Sequence, residues 1–150
     1  MNINNNIDNI SEIPAISADQ NNISGEDQST LFEQVIDENN IRISLIPSKR
    51  KKTKKINIVV EGCFTVATTG LAYEKIMPAI PHFDFIDFSL RKIEQIDLVA
   101  IQLLYYIKNK YSTTNKTITI EADLSTEDRA VLFNSGLMGL LTKTKLTENK

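Results

Sequence analysis

The sequence has few of the residues that usually carry metal binding, redox chemistry or nucleophilic catalysis. It contains one cysteine, Cys63, one histidine, His82, and no tryptophan. A single cysteine cannot form an intramolecular disulfide, and one histidine with one cysteine supplies too few ligands for a zinc site. The residues around Cys63 and His82 fit no protease or redox pattern, and the five glycines are scattered rather than grouped in a phosphate-binding loop. We therefore predict no catalytic residues, no metal and no cofactor, and we expect a protein that is not an enzyme.

Long hydrophobic runs are also missing. No segment approaches the ~18 consecutive apolar residues of a membrane-spanning helix. The N-terminus has neither the basic start nor the apolar stretch of a secretory signal peptide. We therefore expect a soluble, cytoplasmic protein, and a lone cysteine is consistent with a reducing compartment.

Charge is distributed unevenly along the chain. Residues 1–40 contain eight acids and no lysine or arginine, whereas the remainder carries 17 bases against 11 acids, a net charge of +6. Residues 1–38 are also too poor in apolar side chains to form a core, although residues 31–36 have the spacing of one or two helical turns. We predict a disordered acidic tail over 1–38, a folded domain over 39–142 and a polar C-terminal tail over 143–150.

Within residues 39–142 the apolar pattern alternates between the periods of strands and helices. Strands are predicted at 41–45, 56–62, 83–88 and 117–120, and helices at 65–80, 98–108 and 125–135. The first two strands favour an antiparallel hairpin, and the alternation that follows favours right-handed crossovers between parallel strands. The predicted fold class is α/β, with a mixed sheet of about four strands and helices packed on it.

Several segments, in the right order, resemble STAS (sulfate transporter and anti-sigma factor antagonist) domains. Residues 58–62 are similar to the second strand of that family, and residues 133–141 to its Ser-Gly-Leu ending. Residues 85–97 resemble its central strand, in which an internal Asp, here Asp87, precedes a second Asp, here Asp97, that opens a helix. The resemblance covers roughly residues 41–141, and it implies a STAS-like sheet and a role in binding proteins.

The residue after the helix-capping Asp is the phosphorylation position of the switchable STAS domains. A partner kinase modifies a Ser or Thr there, where first-turn N–H groups and the helix dipole stabilise a phosphate. Here the family's Asp-Ser/Thr-x-Gly becomes Asp97-Leu98-Val99-Ala100, which contains no hydroxyl group. The resemblance therefore implies a domain that is degenerate, and not phosphorylatable, at this position.

Two interpretations of this helix start stay open. Asp97 is explained either as an ordinary helix N-cap or as part of an exposed, partly apolar docking patch. The patch, in turn, is covered either by a partner or by the protein's own N-terminal segment. The predicted partner-binding residues are Asp97, Leu98, Val99, Ala100, Gly62, Cys63, Phe64 and Thr65.

A run of bases at residues 49–55 is the second candidate site. It is explained as a solvated loop, as a patch that binds anionic lipid or nucleic acid, or as a loop shielded by the acidic tail. The absence of interleaved aromatic residues and the acidic overall composition argue against nucleic acid. The predicted anion-binding residues are Lys49, Arg50, Lys51, Lys52, Lys54 and Lys55.

Together these features predict a non-enzymatic interaction module in bacterial signalling. The resemblance implies an adaptor similar to anti-sigma factor antagonists in partner switching. Its protein partner would be an anti-sigma-type kinase, a chemosensory component or a transporter ATPase. The alternative is a structural or assembly subunit of a larger complex, such as a transporter ATPase or a chemosensory array, because a helix start without a hydroxyl suits permanent binding. The oligomeric state is left open.

Overall fold

The computed structural model describes residues 33–50 and 52–146. Within them the chain forms a single mixed sheet, three α-helices and two short 3₁₀ helices. The strands are β1 (Gln34–Glu38), β2 (Ile41–Pro47), β3 (Lys55–Phe64), β4 (Phe85–Ile96), β5 (Thr117–Leu124) and β6 (Lys143–Leu146). The α-helices are α1 (Val66–Ile76), α2 (Leu98–Tyr111) and α3 (Thr126–Asn134), and the 3₁₀ helices span Ile80–His82 and Met138–Leu140.

The six strands lie side by side in chain order, from β1 to β6. β1, β2 and β3 are antiparallel neighbours, whereas β3, β4, β5 and β6 are parallel. Each helix connects two adjacent parallel strands, and right-handed crossovers in this order bring all three helices to the same face of the sheet. The predicted α/β class, with an antiparallel edge on a parallel sheet, is confirmed.

The core lies between the helices and that face of the sheet. Ile58 of β3, Phe88 of β4 and Ile120 of β5 are fully buried, and Ile101 and Ile107 of α2 pack from the helix side of the core. Side chains in a strand alternate between its two faces, so the residues next to Ile58 and Phe88 belong to the opposite face, which none of the helices in residues 33–50 and 52–146 covers.

The sheet has six strands where about four were predicted, because one strand was missed at each end. Helical turns were predicted over 31–36, but residues 34–36 belong to β1, so that prediction is wrong there. Residues 31 and 32 lie outside the described residues. The segment around Val35 and Ile36 is so short that its apolar pattern is compatible with either a helix or a strand. Asn39 and Asn40, with φ of 53° and 63°, form a two-residue turn that pairs β1 with β2. The adjacent asparagines were the available signal for this hairpin.

The sheet also extends past the predicted domain limits of 39 and 142. β1 lies before the first limit, and β6, which pairs in parallel with β5, lies after the second. β6 has only four residues, two of them lysines, so its strand signal in the sequence is weak. The parts of the predicted tails at residues 1–32 and 147–150 lie outside the described residues.

Gly62 of β3 is required by a close approach of the β1–β2 turn. Its φ is +88°, and a Cβ built there would lie 2.3 Å from the carbonyl oxygen of Asn40. The next amide, that of Cys63, donates a hydrogen bond to the same oxygen at 2.8 Å. Any side chain at Gly62 would therefore separate the turn from the end of β3.

We predict that Gly62→Ala lowers the free energy of unfolding by at least about 2 kcal/mol, from strain at positive φ and the displaced turn. Gly70→Ala is the matched control, because a Cβ there meets nothing within 4 Å. In the interior of α1 it should stabilise the protein by up to about 1 kcal/mol. Urea unfolding measures the free energy of unfolding of both variants, and an equal change in the two would contradict the close approach at Gly62.

An ion pair crosses the uncovered face of the sheet near the start of the parallel strands. Asp87 of β4 contacts the Lys55 ammonium at 2.5 Å and accepts a hydrogen bond from the Thr119 hydroxyl of β5. Partial burial disfavours the charged carboxylate, but Lys55 and Thr119 more than offset this and hold the pKa of Asp87 below its usual value. The charged form of Asp87 therefore stabilises the folded state.

We expect Asp87→Asn to cost about 0.5–1 kcal/mol at neutral pH, since the ion pair is partly exposed to solvent. A carboxylate with a lowered pKa contributes stability above its unfolded-state pKa of about 4, and the contribution is lost as pH falls through the folded-state value. The difference between wild type and variant should thus be constant at neutral pH and shrink below about pH 4. Denaturation across pH measures it. Asp84→Asn, at an exposed position, is the control. An identical pH dependence of stability for both variants would show that the ion pair of Asp87 does not stabilise the fold.

Candidate partner-binding site

The site is built where two neighbouring parallel strands end at the same level of the sheet. The last residues of β3 and β4, Phe64 and Ile96, are register partners. One extended residue follows each strand, Thr65 after β3 and Asp97 after β4, and each is the N-cap of a helix. The N-termini of α1 and α2 therefore lie next to each other at one edge of the sheet.

Asp97 joins the two helices through its carboxylate. One oxygen, Oδ1, accepts a hydrogen bond from the Ala100 amide of α2 at 3.0 Å, and the other, Oδ2, accepts from the Val66 amide of α1 at 2.7 Å. The backbone amide of Asp97 also donates to the Phe64 carbonyl at 3.3 Å. The sequence predicted Asp97 as the N-cap of one helix; the contact with the second helix is visible only in the structure.

A buried threonine fixes the start of α1 to the end of β3. The Thr68 hydroxyl accepts a hydrogen bond from the Thr65 amide at 3.0 Å and donates one to the Cys63 carbonyl at 2.8 Å. Only 2% of Thr68 is exposed, so both bonds satisfy a group that is otherwise costly to bury. Thr65 and Cys63 are thus held in place by Thr68, which the sequence did not single out.

Cys63 lies beside this edge and is poorly suited to act as a nucleophile. Desolvation, followed by the nearby Glu94 carboxylate at 3.7 Å, raises the pKa of the Cys63 thiol above its usual value. A nucleophilic cysteine needs a lowered pKa, so the shift has the wrong direction for catalysis. His82 precedes the start of β4, whereas Cys63 lies near the end of β3, roughly 25 Å along the strands. The two side chains do not form a catalytic pair.

The helix starts expose apolar side chains rather than charges. Leu98 is 43% exposed, Val99 39% and Val66, the first residue of α1, 66%. Val66, Asp97, Leu98 and Val99 form a continuous surface that we call the docking face. Val66 was not predicted, because nothing in the sequence indicates that the first turn of α1 meets that of α2.

Two of the predicted partner-binding residues lie in the core and not at the surface. Phe64 and Ala100 are fully buried. Phe64 is an inward-facing residue of β3 and not part of a loop, and Ala100 lies on the side of α2 that packs on the sheet. They support the docking face from below, and they cannot line it.

The apolar surface continues along both helices. α2 has no charged residue from Leu98 to Ile107, and its exposed positions there after Leu98 and Val99 are Gln102, Tyr105 and Tyr106. Tyr73 of α1 is 45% exposed, and the Lys110 ammonium at the end of α2 lies 5.4 Å from the centre of the Tyr106 ring. The outer surface of α2 is thus uncharged and partly aromatic from Leu98 to Ile107, whereas the second half of α1 exposes Glu74 beside Tyr73.

The basic run belongs to the opposite end of the sheet. Lys49, Arg50, Lys52 and Lys54 are exposed in the loop that precedes β3, and Lys55 is engaged with Asp87. The sixth predicted residue, Lys51, lies outside the described residues. The fold therefore separates the two predicted sites by the length of a strand, about 30 Å for ten residues.

Within residues 33–50 and 52–146, no group of three or more His, Cys, Asp or Glu side chains could hold a metal ion. None of the helices in the same ranges has the length and apolar character needed to cross a membrane.

Comparison with known proteins identifies the fold. No family model matches the chain, and no curated protein matches it. Among solved structures, the chain is similar to the anti-sigma factor antagonist SpoIIAA in its unphosphorylated form, with a TM-score of 0.52 and 14% sequence identity. The match covers 76% of this chain and 89% of that chain. At this identity the likeness establishes the fold, and it confirms the predicted STAS-like architecture.

We predict that Asp97→Ala costs about 2 kcal/mol of stability, because it removes the acceptor for amides in two helices and each cap contributes about 1 kcal/mol. Ser125→Ala is the matched control. The Ser125 side chain caps only α3, accepting from the Asp128 amide at 3.1 Å, and its loss should cost about 1 kcal/mol. Urea unfolding compares the two variants, and equal losses would argue against the shared cap.

Proposed function

We propose that this protein is a non-enzymatic interaction module, an adaptor of the anti-sigma factor antagonist kind, which binds a protein partner through the docking face. The observation that carries the proposal is the exposure of Val66, Leu98 and Val99 at the joined helix starts of a STAS-like fold. Burying a Leu or Val side chain contributes about 1.5–3 kcal/mol. Three such residues around one carboxylate give a small apolar centre with a polar edge, the arrangement found at the core and rim of protein–protein interfaces.

The chemistry around the site supports binding rather than catalysis. The Cys63 thiol is protonated at neutral pH and lies far from His82, and Asp97 is occupied by two backbone amides. A carboxylate engaged in this way orients two helices. We infer that the protein acts by contact alone.

Leu98 makes the proposed interaction independent of phosphorylation at this position. A phosphoryl group needs an oxygen acceptor, and the leucine side chain has none. In its place the first turn of α2 presents an apolar surface of constant charge. The adaptor would therefore be a constitutively unphosphorylated antagonist at this position, and its partner would be an anti-sigma-type kinase, a chemosensory component or a transporter ATPase.

A permanent assembly subunit is the second candidate function. The aromatic continuation through Tyr73, Tyr105 and Tyr106 favours it, because stable interfaces bury larger and more apolar surfaces than transient ones. In that case the partner would cover the outer surface of both helices in addition to the docking face.

We predict that Leu98→Asp strongly weakens partner binding without unfolding the protein. An acidic residue in the first turn of a helix is favoured by the helix dipole, so stability should be unchanged or slightly higher. Affinity for the partner, enriched from the native cell and then purified, should fall at least about 30-fold, which corresponds to a hot-spot loss of about 2 kcal/mol. The control is Phe133→Asp, a change of the same kind at a residue of α3 that is 73% exposed.

Titration calorimetry with the purified partner, accompanied by thermal melting, distinguishes the outcomes. Retained affinity in Leu98→Asp would refute the docking face, and equal losses in both variants would indicate a general response to added charge. A Tyr105→Ala/Tyr106→Ala variant discriminates between the two functions. It should retain binding if the partner uses the docking face alone, and lose binding if the partner covers both helices.

A further inference from the structure

The end of the sheet opposite the docking face contains a small apolar cavity beside the basic loop. Its volume is about 250 Å³, below the ~300–1,000 Å³ typical of small-molecule sites, and suits one or two side chains. Its floor is apolar, and Lys75 and His82 are the basic side chains that line it. The lining residues are Gln34, Leu45, Pro47, Ile56, Lys75, Pro78, Ala79, His82 and Phe83.

Four exposed cations lie at the same end of the sheet. Lys49, Arg50, Lys52 and Lys54 follow Pro47, which lines the cavity, and none of their side chains forms an ion pair with the described residues. Like charges in one short loop repel one another, so an anionic occupant would stabilise this arrangement.

The N-terminal segment of the chain, residues 1–32, enters the described structure at this position. β1 begins at Gln34, whose register partner is Leu45, and both line the cavity. The segment contains five acids and no lysine or arginine: Asp8, Glu12, Asp19, Glu26 and Asp27. An extended chain spans at most about 3.6 Å per residue, so Glu26 and Asp27 are connected within ~25–30 Å of Gln34. Charge and chain path both match this segment to the basic loop.

The segment also supplies an apolar side chain at a suitable place. Gln34 lines the cavity, and Ile36 packs against the core from the same side of β1. In an extended chain, residues two apart point to the same face, and Phe32 precedes Gln34 by two residues. Phe32 is therefore the aromatic residue best connected to reach the cavity.

We propose that residues 1–32 cover this end of the protein as an intramolecular ligand. Phe32 occupies the cavity, and the five acids face Lys49, Arg50, Lys52 and Lys54. Because the segment is tethered beside its site, it acts at an effective concentration of about millimolar and excludes weaker anionic ligands from the basic loop. This interaction does not depend on the docking face, which lies at the other end of the strands.

The test uses the full chain with a spin label in the segment. Cys63→Ser removes the native thiol, Ser17→Cys receives a nitroxide, and amide signals are compared with the reduced label by ¹H–¹⁵N NMR. We expect selective broadening at Lys52, Lys54, Ala79 and His82, and none at Leu98 or Val99. In about 1 M salt, where the screening length is about 3 Å, the broadening at the loop should decrease.

Two sets of variants distinguish the contribution of the acidic side chains from that of Phe32. Replacing all five acids of the segment by Asn or Gln should remove the broadening at Lys52 and Lys54. Phe32→Ser should shift the amide signals of Ala79 and His82, whereas Ile10→Ser, the matched control, should not. Broadening that is uniform, absent or unchanged by these substitutions would overturn the proposal. So would its appearance in unlabelled ¹⁵N protein mixed with labelled ¹⁴N protein, which would identify a second copy as the occupant.

Discussion

The geometry of the docking face depends on the shared register of β3 and β4. Because Phe64 and Ile96 are partners, the two strands end together, and the helices that follow them begin side by side. Both helix starts expose amides that need acceptors, and the Asp97 carboxylate supplies one to each. A single side chain thus satisfies one free amide at each of two helix N-termini. It holds the two first turns side by side, with Val66 and Leu98 exposed.

The pairing of β3 with β4 is irregular just before the strands end. Gly62 of β3, at positive φ, and Lys92 of β4, with φ of 46°, lie where the β3–β4 pairing shifts. On the other side of β3, the Cys63 amide donates a hydrogen bond to the Asn40 carbonyl, so the β1–β2 hairpin contacts the end of β3. Gly62, two residues from the end of β3, therefore lets the β1–β2 turn approach the strand closely.

The fold divides the molecule into two chemically different ends. Where the parallel strands end, helix N-termini, Asp97 and exposed aliphatic residues form the surface that we propose binds a protein partner. Where they begin, exposed lysines and an apolar cavity lie near Gln34, the first residue of β1. The roughly 30 Å length of β3 separates the two, so occupation of one end leaves the other accessible.

The sequence by itself determined the α/β class, the order of the main strands and helices, and Asp97 as a helix cap, because hydrophobic period and capping chemistry are local properties of the chain. It also determined that no hydroxyl group follows Asp97. The edge strands β1 and β6 were not predictable, since short or ambiguous segments become strands only when a neighbouring edge pairs with them. Only the tertiary structure decided that Phe64 and Ala100 are buried, that Val66 joins Leu98 and Val99 at the surface, and that Asp97 caps a second helix. Each of these depends on contacts between residues about 30 positions apart, which the pairing of β3 with β4 brings together.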